Sequence, residues 1–503
     1  MASNAGATIG SSDPKTIVAE AQQSRDAGDA KGAIPRVEAA LKLHPDHLRL
    51  WHVLGLLHRA EEDSAAAMKA FSRASELAPT DPKVTHALAR VTMEAGRPDI
   101  NLFDTARKYS PADGSVLLGR AAAQSALGHA EKAMSDLNEI LLQSPAWIEG
   151  QEALANLRWM NGKRDKFTDG YERALSATPH NSLLWFKMIN SLIQVERFEE
   201  ARAVVRRARP SVKEIRNLDI CEAICASELG DDKRADHLFE RVAPHTEMPI
   251  AVRYMRHMLR TGRPDEAARC GEARRRDPDA NEMWPYLGLA WRMLDDKRWL
   301  WLERDERLIK TYDIGDRIDM EALAAHLRTL HVLKADMAGQ SVRGGTQTDG
   351  PLFARADKEI RALRAALVDT ISHHMQTLAP IDPDHPVLRH APGPVQFGGS
   401  WSVRLAGAGR HTHHIHPLGW YSSALYVNLP SPVQLGEPPA GWLAFGIPPD
   451  ELGIDLPAYE TVEPKIGRLA LFPSIMWHGT MPFDDGERLT VAFDIKKPPQ
   501  ARA

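Results

Sequence analysis

Only three cysteines occur in 503 residues, Cys221, Cys225 and Cys270, which excludes a disulfide-stapled scaffold. Cys221 and Cys225 lie one helical turn apart inside an apolar helix pattern, which predicts buried free thiols rather than a bridge or a metal pair. No apolar run approaches the ~20 residues that a membrane helix needs. The stretch Met1 to Pro14 is small and polar, without the apolar core of a signal peptide. Charge of one sign is missing too. The 63 Lys and Arg are interleaved with 67 Asp and Glu, for a formal net charge of -4. Neither nucleic acid nor a membrane is therefore expected as a partner, and the chain reads as a soluble protein of a reducing cytoplasm. Its length exceeds one ordinary core, so two or more domains are expected.

What is present first is repetition. From about Asp13 to Tyr312, prolines recur at Pro45, Pro79, Pro111, Pro145, Pro179, Pro210, Pro244 and Pro278, 31 to 34 residues apart. Each interval carries two amphipathic helix patterns. Trp51, Trp185 and Trp284 each stand six residues after a proline, and Gly55 and Gly288 follow four positions later, with Ile189 as an exception. Small-then-aromatic pairs, Ala67/Phe71 and Ala235/Phe239, mark the second helix. Small residues let paired helices approach closely, and proline ends the second helix because it cannot continue the hydrogen-bond ladder. The pattern resembles the tetratricopeptide repeat, with about eight units and a degenerate helical pair near Glu282 to Tyr312. That resemblance implies a superhelix whose concave face binds an extended peptide or a protein. A rigid spacer or a dimerisation surface is the alternative.

A helix pattern through Met320, Leu323, Leu327 and Leu330 is expected to cap the apolar edge of the last repeat. The stretch Ser341 to Phe353, rich in glycine and hydroxyls, reads as a loop. A further helix runs from about Ala354 to Leu378, on which His373 and His374 are expected to be solvated or capping. Prolines from Pro380 to Pro394 close the helical part. After Pro394 the period changes to two. Strand patterns cover Val395–Leu405, His413–His416, Ser422–Leu429, Gly441–Phe445, Arg468–Phe472 and Arg488–Ile495, separated by turns such as Asp484-Asp485-Gly486. Short strands of this kind predict a jelly-roll barrel or sandwich.

The chemistry gathers at His411-Thr412-His413-His414-Ile415-His416-Pro417. In a strand, residues i and i+2 share a face, so His414 and His416 could present both imidazoles to one metal. His411 and His413 have the same relation, and this register stays open. His478, after the strand ending in Phe472-Pro473, is the candidate third ligand. Ligand type alone fits zinc, iron, copper or nickel. Arg488 discriminates further. It lies ten residues after His478 with Thr490 on the same strand face, and a guanidinium beside a hydroxyl is a receptor for a carboxylate. A keto-acid that chelates a metal at one end and has its far carboxylate held would suit both. Tyr426 and Asn428 alternate with Leu425, Val427 and Leu429, so the polar pair is expected to face the interior. Tyr426 then either donates to the co-substrate carboxylate or is simply structural.

These residues resemble the 2-oxoglutarate- and Fe(II)-dependent oxygenases, whose pattern is His-x-Asp (or Glu), a distal His, and an Arg or Lys about ten residues beyond. More narrowly, His414-x-His416-Pro417 followed by Trp420-x-Ser422-Ser423-x-x-Tyr426-Val427 is similar to a bacterial and phage subgroup. Gly467–Pro473, His478 and Arg488 match its later motifs. Members fused to tetratricopeptide repeats carry Ser-x-Arg-Gly-Gly-Thr-Gln-Thr, here Ser341 to Thr348. The resemblance makes that loop a wall of the active site, with Arg343 as a substrate or co-substrate contact. It implies an α+β multidomain chain: a disordered 1–12, a repeat superhelix over 13–315, a helical connector over 316–390, and a double-stranded β-helix (jelly-roll) over 391–500. It further implies Fe(II) held by His414, His416 and His478. The co-substrate 2-oxoglutarate is gripped by Arg488 and Thr490 with Tyr426 and Asn428 nearby, and molecular oxygen is consumed in hydroxylating a side chain of a protein or peptide bound by the repeats. One departure stands out. The acidic ligand of the common triad is absent where His416 stands, so either three histidines bind or one of them supports the others from behind. A catalytically silent repeat scaffold with a metal-binding barrel, and a cupin-like enzyme that uses no keto-acid, are the competing readings.

Overall fold

The computed structural model describes residues 13–332, 339–378 and 381–498; the expected disordered segment 1–12 lies outside them. The chain forms two compact units, residues 1–133 with 353–361 and residues 134–352 with 362–503.

In the first unit three helical hairpins follow one another: Pro14–Asp26 with Ala30–Leu43, Leu48–Ala60 with Ser64–Leu77, and Pro82–Glu94 with Ile100–Tyr109. An aspartate starts most of them. Asp13, Asp29, Asp63, Asp81 and Asp99 each accept a hydrogen bond from a backbone N–H of the first turn, satisfying a donor that has no partner inside the helix. Each second helix stops two residues before its proline, at Leu43, Leu77 and Tyr109, because the residue before proline is steered away from helical geometry. Trp51 shows why an aromatic sits six residues after the proline: its indole N–H donates to the Pro45 carbonyl at 2.6 Å, tying the turn to the next helix. The partner of Gly55 is Phe71, whose ring would lie 2.7 Å from a β-carbon there. Glycine is therefore required by the close approach rather than by its backbone angles.

The second unit continues the pattern. Trp185 donates to the Pro179 carbonyl at 2.8 Å, Gln151 does the same to Pro145 at 3.0 Å, and Cys221 and Cys225 are buried free thiols. Helices Trp284–Met293 and Arg298–Glu303 meet the β-domain. The Trp477 indole N–H donates to the Pro285 carbonyl at 3.1 Å and its ring meets Tyr286 edge-on at 5.4 Å.

Among the described residues nine strands build that domain: β1 (Lys310–Asp313), β2 (Val342–Gln347), β3 (Phe397–His411), β4 (Tyr421–Asn428), β5 (Leu443–Phe445), β6 (Glu460–Val462), β7 (Arg468–Pro473), β8 (His478–Thr480) and β9 (Glu487–Ile495). They form a six-stranded sheet in the order β1-β7-β4-β9-β3-β2 and a three-stranded sheet in the order β6-β5-β8. Every pairing is antiparallel, consistent with a jelly roll. Val403, Leu405, Leu425, Leu469, Leu471, Leu489, Val491 and Phe493 are fully buried, each contributing roughly 1.5–3 kcal/mol by leaving water.

Several expectations need correction here. The repeat pattern is expected to run to Tyr312, yet Lys310–Asp313 is an edge strand of the large sheet, pairing with β7. Helix Met320–Leu330 packs on β4, and its Arg328 bonds Glu487 at 2.8 Å, so it covers the sheet instead of capping the last repeat. The loop at Ser341 to Thr348 is mostly the opposite edge strand, β2, with a bulge between Arg343 and Gly345. A β-carbon on Gly345 would stand 2.5 Å from the Arg404 carbonyl, which is the reason for the glycine. His413–His416 is not a strand, though His414 makes an isolated bridge. His374 is buried and hydrogen-bonded through Nδ1 to the Tyr312 hydroxyl at 3.0 Å, not solvated.

Candidate metal and anion site

The segment after β3 runs alongside the stretch from Ser474 to His478. Three backbone hydrogen bonds hold it there: His414 N to His478 O, 2.9 Å; His478 N to His414 O, 3.1 Å; His416 N to Ser474 O, 2.8 Å. The rings of His414, His416 and His478 are thereby brought together, with centroids 4.3–5.2 Å apart and one nitrogen of each within 4.8 Å of the others.

The tautomers follow from what each Nδ1 faces. His414 Nδ1 meets the Thr412 carbonyl at 2.7 Å, His478 Nδ1 the Met476 carbonyl at 2.9 Å, and His416 Nδ1 the Asp494 carboxylate at 2.7 Å. All three are acceptors, so Nδ1 carries the proton and each Nε2 keeps its lone pair, the arrangement a metal-binding imidazole needs; on His414 that nitrogen faces the Ser341 hydroxyl at 3.3 Å. Burial pushes the pKa of His414 and of His478 well below the ordinary histidine range, and the neighbouring imidazoles add to it. Both are neutral bases ready to bind a cation. The donor set therefore fits a first-row divalent metal.

Behind the histidines lies an inner pocket lined by Arg488, Thr490, Ser341, Gln347, His411 and Phe472 among others. Arg488 is 2% exposed and its guanidinium lies over the Tyr426 ring, 5.1 Å from the centroid. Its Nε and the Tyr426 hydroxyl have no hydrogen-bond partner among the described residues, and no acidic side chain there bridges to it. Burial lowers the pKa of Arg488, yet a guanidinium stays charged. A buried cation with no acidic partner among the described residues, and with its Nε unbonded, is a site prepared for an anion. His411 sits between the two features. Burial and Arg488 push its pKa down to about 3, so it adds no charge.

An outer cleft of 450 Å³ lies against the same histidines; Ser341, His414 and His416 line both spaces. Its far wall comes from repeat helices: Glu228 ending Ile215–Glu228, Arg253 and Arg256 on Met248–Arg260, and Tyr286. Glu228 and Arg256 pair in a fork at 2.6 and 3.1 Å.

Two expected co-substrate contacts are not brought to the inner pocket. Asn428 follows a register shift in β4 and donates to the Glu487 carbonyl at 3.2 Å. Arg343 reaches the outer cleft, where it bonds the Val342 carbonyl at 3.2 Å and Glu196 at 3.4 Å. One residue was missed. Asp494 stands on the face of β9 that already carries Arg488, Thr490 and Ala492, so the period of two pointed to it.

Residues 399–494 match the family described as "Putative 2OG-Fe(II) oxygenase", and residues 24–91 match a tetratricopeptide-repeat family. The chain thus carries a tetratricopeptide-repeat region and a stretch similar to the 2OG-Fe(II) oxygenase family. The oxygenase match ends on Asp494 and takes in all three histidines and Arg488. A peroxisomal targeting signal receptor of Saccharomyces cerevisiae is 26% identical over 182 residues, covering 34% of this chain and 30% of that protein. The chain thus spans about 30% of the length of the curated relative it matches. Among solved structures, a tetratricopeptide-repeat protein from Parabacteroides merdae is 17% identical, covering 47% of this chain and 95% of its own at a TM-score of 0.31. A thermophilic repeat protein of Thermus thermophilus is 19% identical, covering 36% and 98% at a TM-score of 0.27. No helix among the described residues is long and apolar enough to cross a membrane.

Proposed function

We propose that the chain is a 2-oxoglutarate- and Fe(II)-dependent dioxygenase that hydroxylates a side chain of a protein or peptide recruited by its repeats. The observation that carries this reading is the pairing of three histidines, one nitrogen of each within 4.8 Å of the others, with a buried guanidinium whose Nε has no partner among the described residues, in one pocket. When bound, Fe(II) with 2-oxoglutarate and O2 supplies the oxidising power: one oxygen atom enters a C–H bond, the other enters succinate, and CO2 leaves.

The chain's own residues bind and orient. His414, His416 and His478 hold the metal through Nε2. Arg488 receives the distal carboxylate of the keto-acid in its fork, with Thr490 and the Tyr426 hydroxyl as further donors. The apolar floor at Phe472 and Leu443 keeps bulk water from the reacting centre. A polypeptide would reach the histidines through the outer cleft, against the repeat helices that form its far wall.

Succinate release from 2-oxoglutarate by the Fe(II)-loaded full chain tests the assignment, together with the charge-transfer absorption that a keto-acid chelate of Fe(II) gives under anaerobic conditions. Absence of both would leave the silent scaffold as the reading to adopt.

A further inference from the structure

Of the three rings that converge, one is held differently. His414 and His478 present Nδ1–H to neutral backbone carbonyls, whereas His416 presents it to a carboxylate. Asp494 is well placed for this. Its side chain is 17% exposed and that of His416 18%, so the pair is shielded from most of the solvent. The same Asp494 oxygen accepts a hydrogen bond from the Ser422 hydroxyl at 2.6 Å, and Ser422 Oγ lies 2.9 Å from the Ser474 hydroxyl and, at the longer distance of 3.2 Å, from His416 Nδ1 itself. Ser474 also supplies the carbonyl that accepts from His416 N. The ring, the carboxylate and two hydroxyls form one network at Nδ1.

His416 occupies the place where the related pattern puts an acidic ligand. Three neutral imidazoles leave a divalent ion with its full charge, while one carboxylate in the set removes a unit of it. A carboxylate hydrogen-bonded to the far nitrogen of an imidazole pulls on its proton, and the ring gains anionic character at the other nitrogen.

We propose that Asp494 is a positioning residue that delivers through His416 the negative charge a carboxylate ligand would bring directly. The inference rests on the metal-site reading above, and it names the second member of what would be a carboxylate–histidine–metal relay. Orientation alone does not account for the arrangement, because a backbone carbonyl suffices to orient each of the other two rings.

Charge and orientation can be separated. Asp494→Asn keeps an oxygen for Nδ1–H and removes the charge; Ser422→Ala removes the hydroxyl that draws on the same oxygen and leaves the charge undivided. With the full chain and Co(II) or Fe(II) as the titrant, Asp494→Asn is expected to weaken binding 10–100-fold and to raise the Fe(III)/Fe(II) midpoint potential. Ser422→Ala is expected to move the potential in the opposite direction without weakening binding. A merely structural role would weaken both variants and shift neither potential in opposed senses. Binding and potential of Asp494→Asn equal to those of the unsubstituted protein would overturn the proposal. So would Ser422→Ala behaving like Asp494→Asn, and this second variant decides the matter should Asp494→Asn fail to fold. His478→Ala is the control for the reading beneath it. If His478→Ala binds Co(II) undiminished, the three-histidine site itself is wrong and the relay goes with it. If His478→Ala loses Co(II) while Asp494→Asn does not, the site stands and only the relay is lost.

Discussion

His414 and His478, 64 positions apart in sequence, exchange two backbone hydrogen bonds, at 2.9 and 3.1 Å. That single antiparallel bridge sets their ring centroids 4.3 Å apart. Because main-chain atoms hold the rings' positions, side-chain substitutions can remove a ligand without dismantling its surroundings.

His414→Ala and His478→Ala are accordingly expected to abolish tight Co(II) and Fe(II) binding while the metal-free protein keeps its unfolding midpoint to within a few degrees. Titration followed by the Co(II) ligand-field spectrum, with thermal unfolding of the apo form alongside, checks both halves.

Arg488 should show a trade between stability and function. An unpaired charge that is 2% exposed costs free energy until an anion arrives. Arg488→Met is expected to stabilise the ligand-free chain by about 1–3 kcal/mol and to abolish 2-oxoglutarate binding and succinate formation. Urea unfolding with and without 2-oxoglutarate would reveal the change of sign. Arg488→Lys should retain only weak binding, since a single ammonium cannot form the fork.

Acid should unfold the chain earlier than its carboxylates require. Burial holds the pKa of His374 and of His385 down at about 4. His385 Nδ1 accepts from the N–H of Val387 and of Leu388, both at 3.1 Å, while Nε2 donates to the Leu302 carbonyl at 3.1 Å. The unfolded chain takes up these protons near pH 6.5 and the folded chain does not until about pH 4. Stability is therefore unaffected above pH 6.5 and falls as pH drops through that window, by roughly 1.4 kcal/mol per pH unit for each such histidine. Urea midpoints measured from about pH 7.5 to 4.5 should show the slope, and a His385→Asn variant should show a smaller one.

Trp477 couples the repeats to the site, since it is buried between Pro285, Tyr286 and the residue that follows it, His478. Trp477→Ala is expected to cost about 3–5 kcal/mol and to weaken Co(II) binding, whereas Trp477→Phe should keep most of the packing and lose only the hydrogen bond. Urea unfolding and metal titration of the two variants separate these contributions.

Much of this was legible in the chain. The proline period marked where helices stop, because proline removes a donor wherever it stands. Trp51 and Trp185 announced their turns because an indole six residues on reaches back to the proline carbonyl. The alternation in β9 puts Arg488 and Thr490 on one face, and the same period of two extends to Asp494.

The sequence by itself therefore determined the two kinds of domain and which side chains share a face, since both depend on local periodicity. Tertiary structure alone decided the rest. It recruited Lys310–Asp313 and Val342–Gln347 as sheet edges, runs of four and six residues too short to carry a period of their own. It turned Asn428 and Arg343 away from the inner pocket through a register shift and a bulge. It also chose a carboxylate for His416 but carbonyls for His414 and His478, because a ring's partner is set by whatever distant strand is folded behind it.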